Sequence, residues 1–398
     1  MFAHTKVPAD AEAKSGWGGA AVGAVALFVG LGLARFAYSP LIPALVRTGW
    51  FGPATADFLA SVNLLGYLIG AAVTGHWLAH EAPGGWLRAA MLVAAASLAA
   101  CALPWGFVWY FLWRLLAGIA AGVIMVLAVP AILARVKPRS RGLLGGLIFG
   151  GVGCGIIFSG QVIPELVALG LPATWLLLSL LAFALTAAVW GGWSSFMPAG
   201  EQAAVMAMPR PPAAAAKAGA AAFALLIGAY CCNAIGFAPH SLFWVDFIAR
   251  ELGRGLHAGG RGYLLFGVGV TGGPLLAGWL GDRFGVRRSF ACGLGLEAVG
   301  VALPLWSTGA AALAVSSLLV GAAGMGATTL ASARTIELTA PRARTKAWGN
   351  MTLAFSIAYA GAGMGDAGLY GHFGRYQPIF VAGAAALVLG AVLAGFAG

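Results

Sequence analysis

Charged side chains are unusually scarce in this sequence. They make up 9% of the 398 residues, whereas hydrophobic residues make up 61%. Because a soluble domain carries about 25% charged residues, this composition excludes an ordinary soluble fold and indicates a chain surrounded by lipid. A membrane span needs roughly 20 apolar residues, and about twelve such stretches fit into the chain. Little sequence remains for a soluble domain.

Cysteine and lysine are also scarce, and their positions exclude several kinds of site. The 5 cysteines all lie in apolar runs, and adjacent Cys231 and Cys232 suit neither a zinc site nor a disulfide. None of the lysines follows a glycine, as the lysine of an ATP-binding loop would. No paired carboxylates, metal ligands or Ser/His/Asp set lie at one depth of the predicted spans. The sequence therefore predicts no catalytic residue, no metal and no cofactor.

Acidic residues are outnumbered, which gives a formal net charge of +11. In a soluble protein this excess would suggest nucleic acid. Here most of the 23 lysines and arginines fall in loops on one side of the predicted spans. Such asymmetry places both termini in the cytoplasm, and contact with anionic membrane lipids explains the basic excess without nucleic acid.

The spans predict an all-α integral membrane protein with two similar halves. We expect a cytoplasmic tail at 1–16, a six-helix bundle at 17–196, a linker at 197–217 and a second six-helix bundle at 218–398. The linker is rich in proline and alanine, a composition that cannot bury a hydrophobic core. An internal repeat supports the division, because residues 114–118 (RLLAG) recur as 317–321 (SLLVG) about 203 positions later.

The most specific motif is a short charged turn between two apolar runs, G-W-L-G-D-R-F-G-V-R-R at 278–288. This pattern resembles the signature loop of the major facilitator superfamily of secondary transporters. The resemblance implies twelve transmembrane helices in two pseudo-symmetric six-helix bundles, alternating access, and a substrate site between the halves. It also implies a gate, with Asp282 at the start of span five in the outward-open state. The gating residues expected from the two sides are Asp282, Arg283, Gly285, Arg288, Arg139 and Arg141.

Two short sequence runs in the first half resemble one particular branch of this superfamily. Residues 35–43 (RFAYSPLIP) and 63–68 (NLLGYL) are similar to the YbfB/YjiJ-type branch, which implies a bacterial inner membrane protein. One departure is that residues 75–81 (GHWLAHE) replace the signature loop in the first half. Either His80 or Glu81 replaces its aspartate, or gating rests on the second half alone.

Two arginines inside predicted spans are the leading candidates for a substrate site. Arg35 lies about 15 Å from the predicted outer end of span one, and Arg114 lies at a comparable depth in span four. A charge at this depth is costly and normally faces the bundle interior or a cavity. Two guanidinium groups without matching carboxylates favour an organic anion. The alternative is structural, with each arginine bonding carbonyls freed by Pro40 and Pro43 or pairing with a buried acid.

Other polar residues in the spans suggest additional roles. Tyr38, Asn63, Asn233 and His240 are candidate substrate contacts, although each also suits an ordinary hydrogen bond between helices. Glu297 and Asp366 are candidate proton carriers, because a low dielectric favours the neutral carboxyl. A structural pair for Glu297 and a partly solvated position for Asp366 are the alternatives. Arg114 with Gly118 and Gly122 also resembles the span-four motif of proton-coupled facilitators.

The sequence as a whole predicts a monomeric secondary transporter for a small organic anion, with proton coupling left open. One alternative is a drug or amphiphile/proton antiporter, which the 14 Trp and 22 Phe would suit. Another, of a different class, is a membrane sensor or assembly factor that transports nothing. That alternative predicts that no flux depends on the midplane arginines.

Overall fold

The computed structural model of the protein describes residues 9–74, 83–133, 141–195, 213–339 and 344–397. Within these ranges the chain forms twelve long helical regions. In chain order they are α1 (Ala9–Leu27, continuing through Phe28–Phe36 and Tyr38–Arg47), α2 (Pro53–Val73), α3 (Pro83–Ala100), α4 (Phe107–Leu133), α5 (Arg141–Leu166), α6 (Leu171–Val189), α7 (Ala213–Ala238, continuing through Pro239–Phe243, Trp244–Asp246 and Phe247–Glu251), α8 (Leu256–Phe284), α9 (Val286–Trp306), α10 (Ala310–Leu338), α11 (Arg344–Phe373) and α12 (Gln377–Phe396).

Ten of these helices are long and apolar enough to cross a membrane. The two others are α3, which carries Arg88 close to its start, and α11, whose sequence is rich in glycine and includes Asp366. The protein is therefore a multi-pass membrane protein, and the count of twelve spans stays a prediction.

Two predicted boundaries differ from the structure. Helix α1 begins at Ala9, inside the predicted tail at 1–16. Helix α7 begins at Ala213, so residues 213–217 of the predicted linker are helical. Alanine has the highest helix propensity, and the four alanines from 213 extend α7 towards its start. The rest of the linker lies outside the described residues.

Helices α1 and α7 are irregular near their centres. The segment Phe28–Phe36 is π-helical and precedes Pro40, and the segment Pro239–Phe243 is π-helical and begins with a proline. Proline lacks the N–H that would close the helical ladder, so it leaves a carbonyl without its helical partner. A wider π-turn in this region exposes carbonyl oxygens to side chains of other helices. Both irregular segments are buried except for half-buried Phe28.

Glycines bring α2 and α4 into close contact. A Cβ atom at Gly66 would overlap the carbonyl oxygen of Leu115, and one at Gly118 would overlap that of Asn63. Helices in lipid have no hydrophobic force drawing them together, so close backbone approach at small residues supplies the packing.

The same contacts recur between α8 and α10. Gly269 lies against the carbonyl oxygen of Leu318, and Gly321 lies against that of Phe266. Each of these residues follows its counterpart in the first pair by 203 positions, which is also the separation of hydrogen-bonded Ser39 and Leu242. The internal repeat is therefore present in the packing as well as in the sequence.

Helix pairs recur in the same way. In the first half α1 packs on α5, α2 on α4, and α3 on both α4 and α6. In the second half α7 packs on α11, α8 on α10, and α9 on both α10 and α12. The halves meet where α5 packs on α8 and where α2 packs on α11. The pairing in one half thus becomes that of the other when each helix number is raised by six.

The two halves are in contact at the end that holds the α1–α2 and α7–α8 loops, which we call the predicted outer end. All residues at 29–45 in α1 and at 236–249 in α7 are buried. Side chains also cross between the halves in this region, since Ser39 donates to Leu242 O at 2.7 Å and Ser61 donates to Gly363 O at 2.6 Å. The predicted outer end is therefore closed.

Candidate functional site

A small cavity lies between the two halves, beside the irregular segments of α1 and α7. It is lined from the first half by Arg35, Tyr38, Ser39, Ala60, Asn63 and Arg114, and from the second by Ser241 and Leu242. Its volume is about 10 Å³, which is near the space that one water molecule needs. A larger ligand would require the halves to move apart.

Arg35 has a buried cationic head that is flanked by aromatic rings. Its residue is 7% exposed, and its Nε has no hydrogen-bond partner within the described chain. The guanidinium carbon lies 4.9 Å from the ring centre of Tyr67 in the first half and 4.8 Å from that of Tyr359 in the second. Aromatic faces attract a cation but do not neutralise it. Among the residues described, no carboxylate pairs with Arg35 or lines the cavity.

Arg114, the second arginine of the cavity wall, has a hydrogen bond to the backbone of another helix. Its Nη1 donates to the carbonyl oxygen of Ala34 at 2.8 Å, and its guanidinium carbon lies 4.2 Å from the ring centre of Tyr38. Ala34 lies in the π-helical segment of α1, so Arg114 contacts this irregular backbone, although Ala34 O is not a carbonyl that Pro40 or Pro43 would free. Its Nε has no partner among the described residues, although Arg114 is only 2% exposed. Arg114 therefore has a structural contact and also lines the cavity beside Arg35.

Hydroxyl groups and one amide complete the cavity wall. Asn63 donates from Nδ2 to the Arg114 carbonyl oxygen at 3.0 Å, which leaves its Oδ1 without a described partner. Ser241 lies 2.5 Å from the Tyr359 hydroxyl, and Tyr263 donates to the Ser241 carbonyl oxygen at 3.1 Å. The wall thus combines two cations, hydroxyls from both halves and the ring of Tyr38.

Two of the predicted substrate contacts lie elsewhere in the second half. Asn233 donates to Glu297 Oε2 at 2.7 Å, so these two form a buried pair between α7 and α9. His240 lies 2.8 Å from Ser316 Oγ and stacks on Trp244 with ring centres 4.0 Å apart. The cavity lining brings Arg35, Tyr38, Asn63 and Arg114 together, but it does not include Asn233 or His240.

The charged turn between α8 and α9 has the predicted geometry. Gly285 alone separates the two helices and has φ of 89°, a conformation that glycine adopts without strain. Asp282, Arg283 and Arg288 are exposed. Arg139 lies outside the described residues, and of Arg141 only the backbone is described. The contact predicted for Asp282 belongs to the outward-open state, so it stays a prediction.

Sequence reasoning missed a second polar cluster at the predicted outer end. Asp57 of α2, Asp246 of α7 and Tyr376 before α12 are all fully buried. The hydroxyl of Tyr376 lies between the two carboxyl groups. Asp57 lies inside a predicted span and Asp246 lies just past the predicted end of another, but the structure places both in helices long and apolar enough to cross a membrane. An acid in such a helix is a candidate for function. Asp366 is buried at the same end.

Comparisons with known proteins identify a family. A family model described as "uncharacterised MFS-type transporter YbfB" matches residues 27–395, which is nearly the whole chain. No curated protein matches the chain.

Proposed function

The chain belongs to the YbfB family of MFS-type transporters, and we propose that it moves a small organic anion by alternating access. The observation that carries this proposal is the cavity between the halves, where two buried guanidinium groups meet without a described carboxylate. A guanidinium fork matches a carboxylate or phosphate in shape and charge. A bound anion would also reduce the repulsion between the two cations.

The repeat supports the mechanism. We infer twelve spans in two six-helix bundles, related by an approximate twofold axis normal to the membrane. The matched glycine contacts of α2–α4 and α8–α10 support this arrangement, as does the pairing of helices shifted by six. The substrate site of such transporters lies at the boundary between the repeats. The cavity is at this boundary and has room for about one water, so loading it requires the halves to separate.

The remaining parts of the proposal concern location and coupling. We propose a monomer in the bacterial inner membrane with both termini in the cytoplasm, since the basic loops lie on one side. It acts as a non-enzymatic transporter and uses protons as the coupling ion. Buried carboxyl groups at Asp57, Glu297 and Asp366 support proton coupling, because each has an oxygen without a described partner.

The test compares Arg35 with an exposed arginine on the same helix. Purified wild type, Arg35→Gln, Arg35→Lys and Arg47→Gln are screened by thermal shift against carboxylates, phosphates and hydrophobic cations. The best anion is then followed by uptake into proteoliposomes. We expect Arg35→Gln to abolish anion binding and uptake, whereas Arg35→Lys weakens binding because it loses the fork but keeps the charge. Arg47 is exposed, so Arg47→Gln should behave as wild type.

Full anion uptake by Arg35→Gln would contradict the proposal. Stabilisation by hydrophobic cations alone would support the drug or amphiphile antiporter instead. A wild type without flux for any compound class would support a sensor or assembly factor.

A further inference from the structure

We propose that Asp57, Tyr376 and Asp246 bind one proton between the halves, and that this proton is released when the predicted outer end opens. The proposal rests on alternating access, and it adds the site at which a proton would be coupled to it. Asp57 belongs to the first half, whereas Asp246 and Tyr376 belong to the second. The Tyr376 hydroxyl lies 3.1 Å from Asp57 Oδ2 and 2.6 Å from Asp246 Oδ2.

The carboxyl groups of Asp246 and Asp57 differ in whether a neighbouring cation neutralises them. Arg250 Nε lies 3.0 Å from Asp246 Oδ1, and Arg250 Nη2 lies 2.5 Å from Asp246 Oδ2. Asp57 has no such cation in the described chain. Its Oδ1 is buried and has no hydrogen-bond partner there. A buried carboxylate that has no paired cation and one oxygen without a donor is strongly disfavoured and becomes neutral instead.

Counting protons leads to the same assignment. A tyrosine hydroxyl has a single proton, so it donates to one of the two carboxyl groups and not to both. If both were ionised, one carboxylate oxygen would face the lone pairs of Tyr376. A proton on Asp57 removes this conflict, because Asp57 then donates to Tyr376 and Tyr376 donates to Asp246. The chain of donors ends at the carboxylate that Arg250 neutralises.

Separation of the halves would break this chain. Asp57 moves away from Tyr376, water reaches its carboxyl group, and its O–H bond breaks to leave a carboxylate and a proton in outer water. Asp246 keeps its charge, since Arg250 is on the same helix. The closed state therefore holds one more proton than the open state.

Other ionisable groups surround the cluster. Tyr38 of α1 donates to the Ala56 carbonyl oxygen at 3.2 Å, and Glu251 of α7 accepts from the Tyr376 N–H at 2.8 Å. Asp366 and Tyr370 approach from α11, and exposed Arg375 precedes Tyr376. Among these described groups, only Arg250 pairs a cation with the cluster, and its contacts are to Asp246 and not to Asp57.

One experiment measures the proton directly. Infrared difference spectra of purified protein, without substrate, compare wild type with Asp57→Asn and with Glu297→Gln. Glu297 is the matched control, because it is an equally buried carboxyl in another helix pair. We expect Asp57→Asn to remove a neutral-acid C=O band at neutral pH that Glu297→Gln leaves in place. Unchanged bands in Asp57→Asn would overturn the proposal. Since this measurement needs neither anion nor flux, its failure is separate from failure of the Arg35 test.

A second experiment measures the release. Spin labels at exposed positions 47 and 372, on a background without native cysteines, report the distance between the halves at the predicted outer end. Because the closed state holds the extra proton, raising the pH should favour the open state by up to about tenfold per pH unit. Asp57→Asn imitates the protonated carboxyl and should stay closed from pH 5 to 9, whereas Glu337→Gln, which changes an exposed carboxyl outside the proposed coupling groups, should respond as wild type. A wild-type distance that ignores pH, or an Asp57→Asn variant that titrates like wild type, would overturn the proposal.

Discussion

The two halves of this transporter share their packing but not the chemistry of their central helices. Gly66 and Gly118 in the first half have counterparts in Gly269 and Gly321, and the carbonyl oxygens they approach are matched as well. The central arginines have no such counterparts. Arg114 corresponds to Ser317, about 203 residues later. At Ser317 a hydroxyl accepts from Trp244 Nε1 at 2.8 Å, so the second half fills this position with a neutral hydrogen bond.

This difference separates what the fold requires from what the site requires. Close helix contact in lipid requires small residues in both halves, so the glycines are repeated. A single anion requires only one group of cations. A second pair of buried arginines would add unpaired charge at a large cost. We infer that the repeat has kept its scaffold while the first half acquired the anion chemistry.

Among the effects that test this comparison, the largest should come from the unmatched pair Arg114 and Ser317. Arg114→Gln removes a cation from the cavity wall, and a charge-assisted hydrogen bond contributes about 1.5–3 kcal/mol. We therefore expect anion affinity to fall by roughly 10- to 100-fold, since 1.4 kcal/mol corresponds to a factor of ten. Isothermal titration of the purified variant with the best anion from the screen measures this loss.

Ser317→Ala serves as the comparison. It leaves the buried Trp244 N–H without its acceptor, which should cost about 1–3 kcal/mol of stability with little change in affinity. Ser317 is buried in α10 and is not among the residues that line the cavity. Equal affinity losses in the two variants would mean that Arg114 acts through the fold and not on the anion.

The next effect should be equal in the two halves. A Cβ atom at Gly118 or Gly321 would overlap a backbone carbonyl oxygen of the facing helix, and backbone cannot move aside as a side chain can. Gly118→Ala and Gly321→Ala should therefore each lose about 1–3 kcal/mol of stability, which is the usual cost of overpacking. Thermal unfolding in detergent measures it. Gly295→Ala is the control, since a Cβ at Gly295 meets nothing within 4 Å.

The fold was largely predictable because it depends on local patterns along the sequence, such as the length of apolar runs. Apolar length predicted a multi-pass all-helical chain, and the charged turn predicted a sharp reversal at Gly285. The two six-helix bundles that the repeat predicts stay a prediction. The starts of α1 and α7 were not predictable from apolar length, because an alanine-rich approach forms helix before the apolar stretch begins. The structure confirms the all-helical membrane fold, and the family match confirms the predicted branch.

The site was predictable only in part. Arg35 and Arg114 stood out because charge inside a span is rare. Asp57 and Asp246 lie near the ends of their spans, where a carboxyl group is ordinarily solvated. Their burial depends on Tyr376, which is 319 residues after Asp57 in the chain. Such a contact is decided by how the halves meet, and no pattern within one span predicts it.

The smallest effect should come from the signature loop, which also differs between the two halves. Only the second half has an aspartate at this turn, Asp282, whereas residues 75–81 of the first half have a different sequence. With the predicted outer end closed, Asp282 is exposed and has no hydrogen bond or ion pair within the described chain. In the outward-open state we expect it at the start of α5, where a carboxylate is stabilised by about 0.3–1 kcal/mol. Because Asp282→Asn removes an attraction present in one state, the outward-open population should fall by about two- to fivefold.

Spin labels at exposed positions 18 and 287 measure this shift across the end opposite to the predicted outer end. Glu337→Gln is a suitable control. Glu337 is also exposed, but its ion pair with Arg334 lies within α10 and does not cross between the halves. If both variants leave the distances unchanged, the turn sets the angle between α8 and α9 without gating. If both shift them equally, general charge at this end is the cause, because only a specific contact distinguishes Asp282 from Glu337.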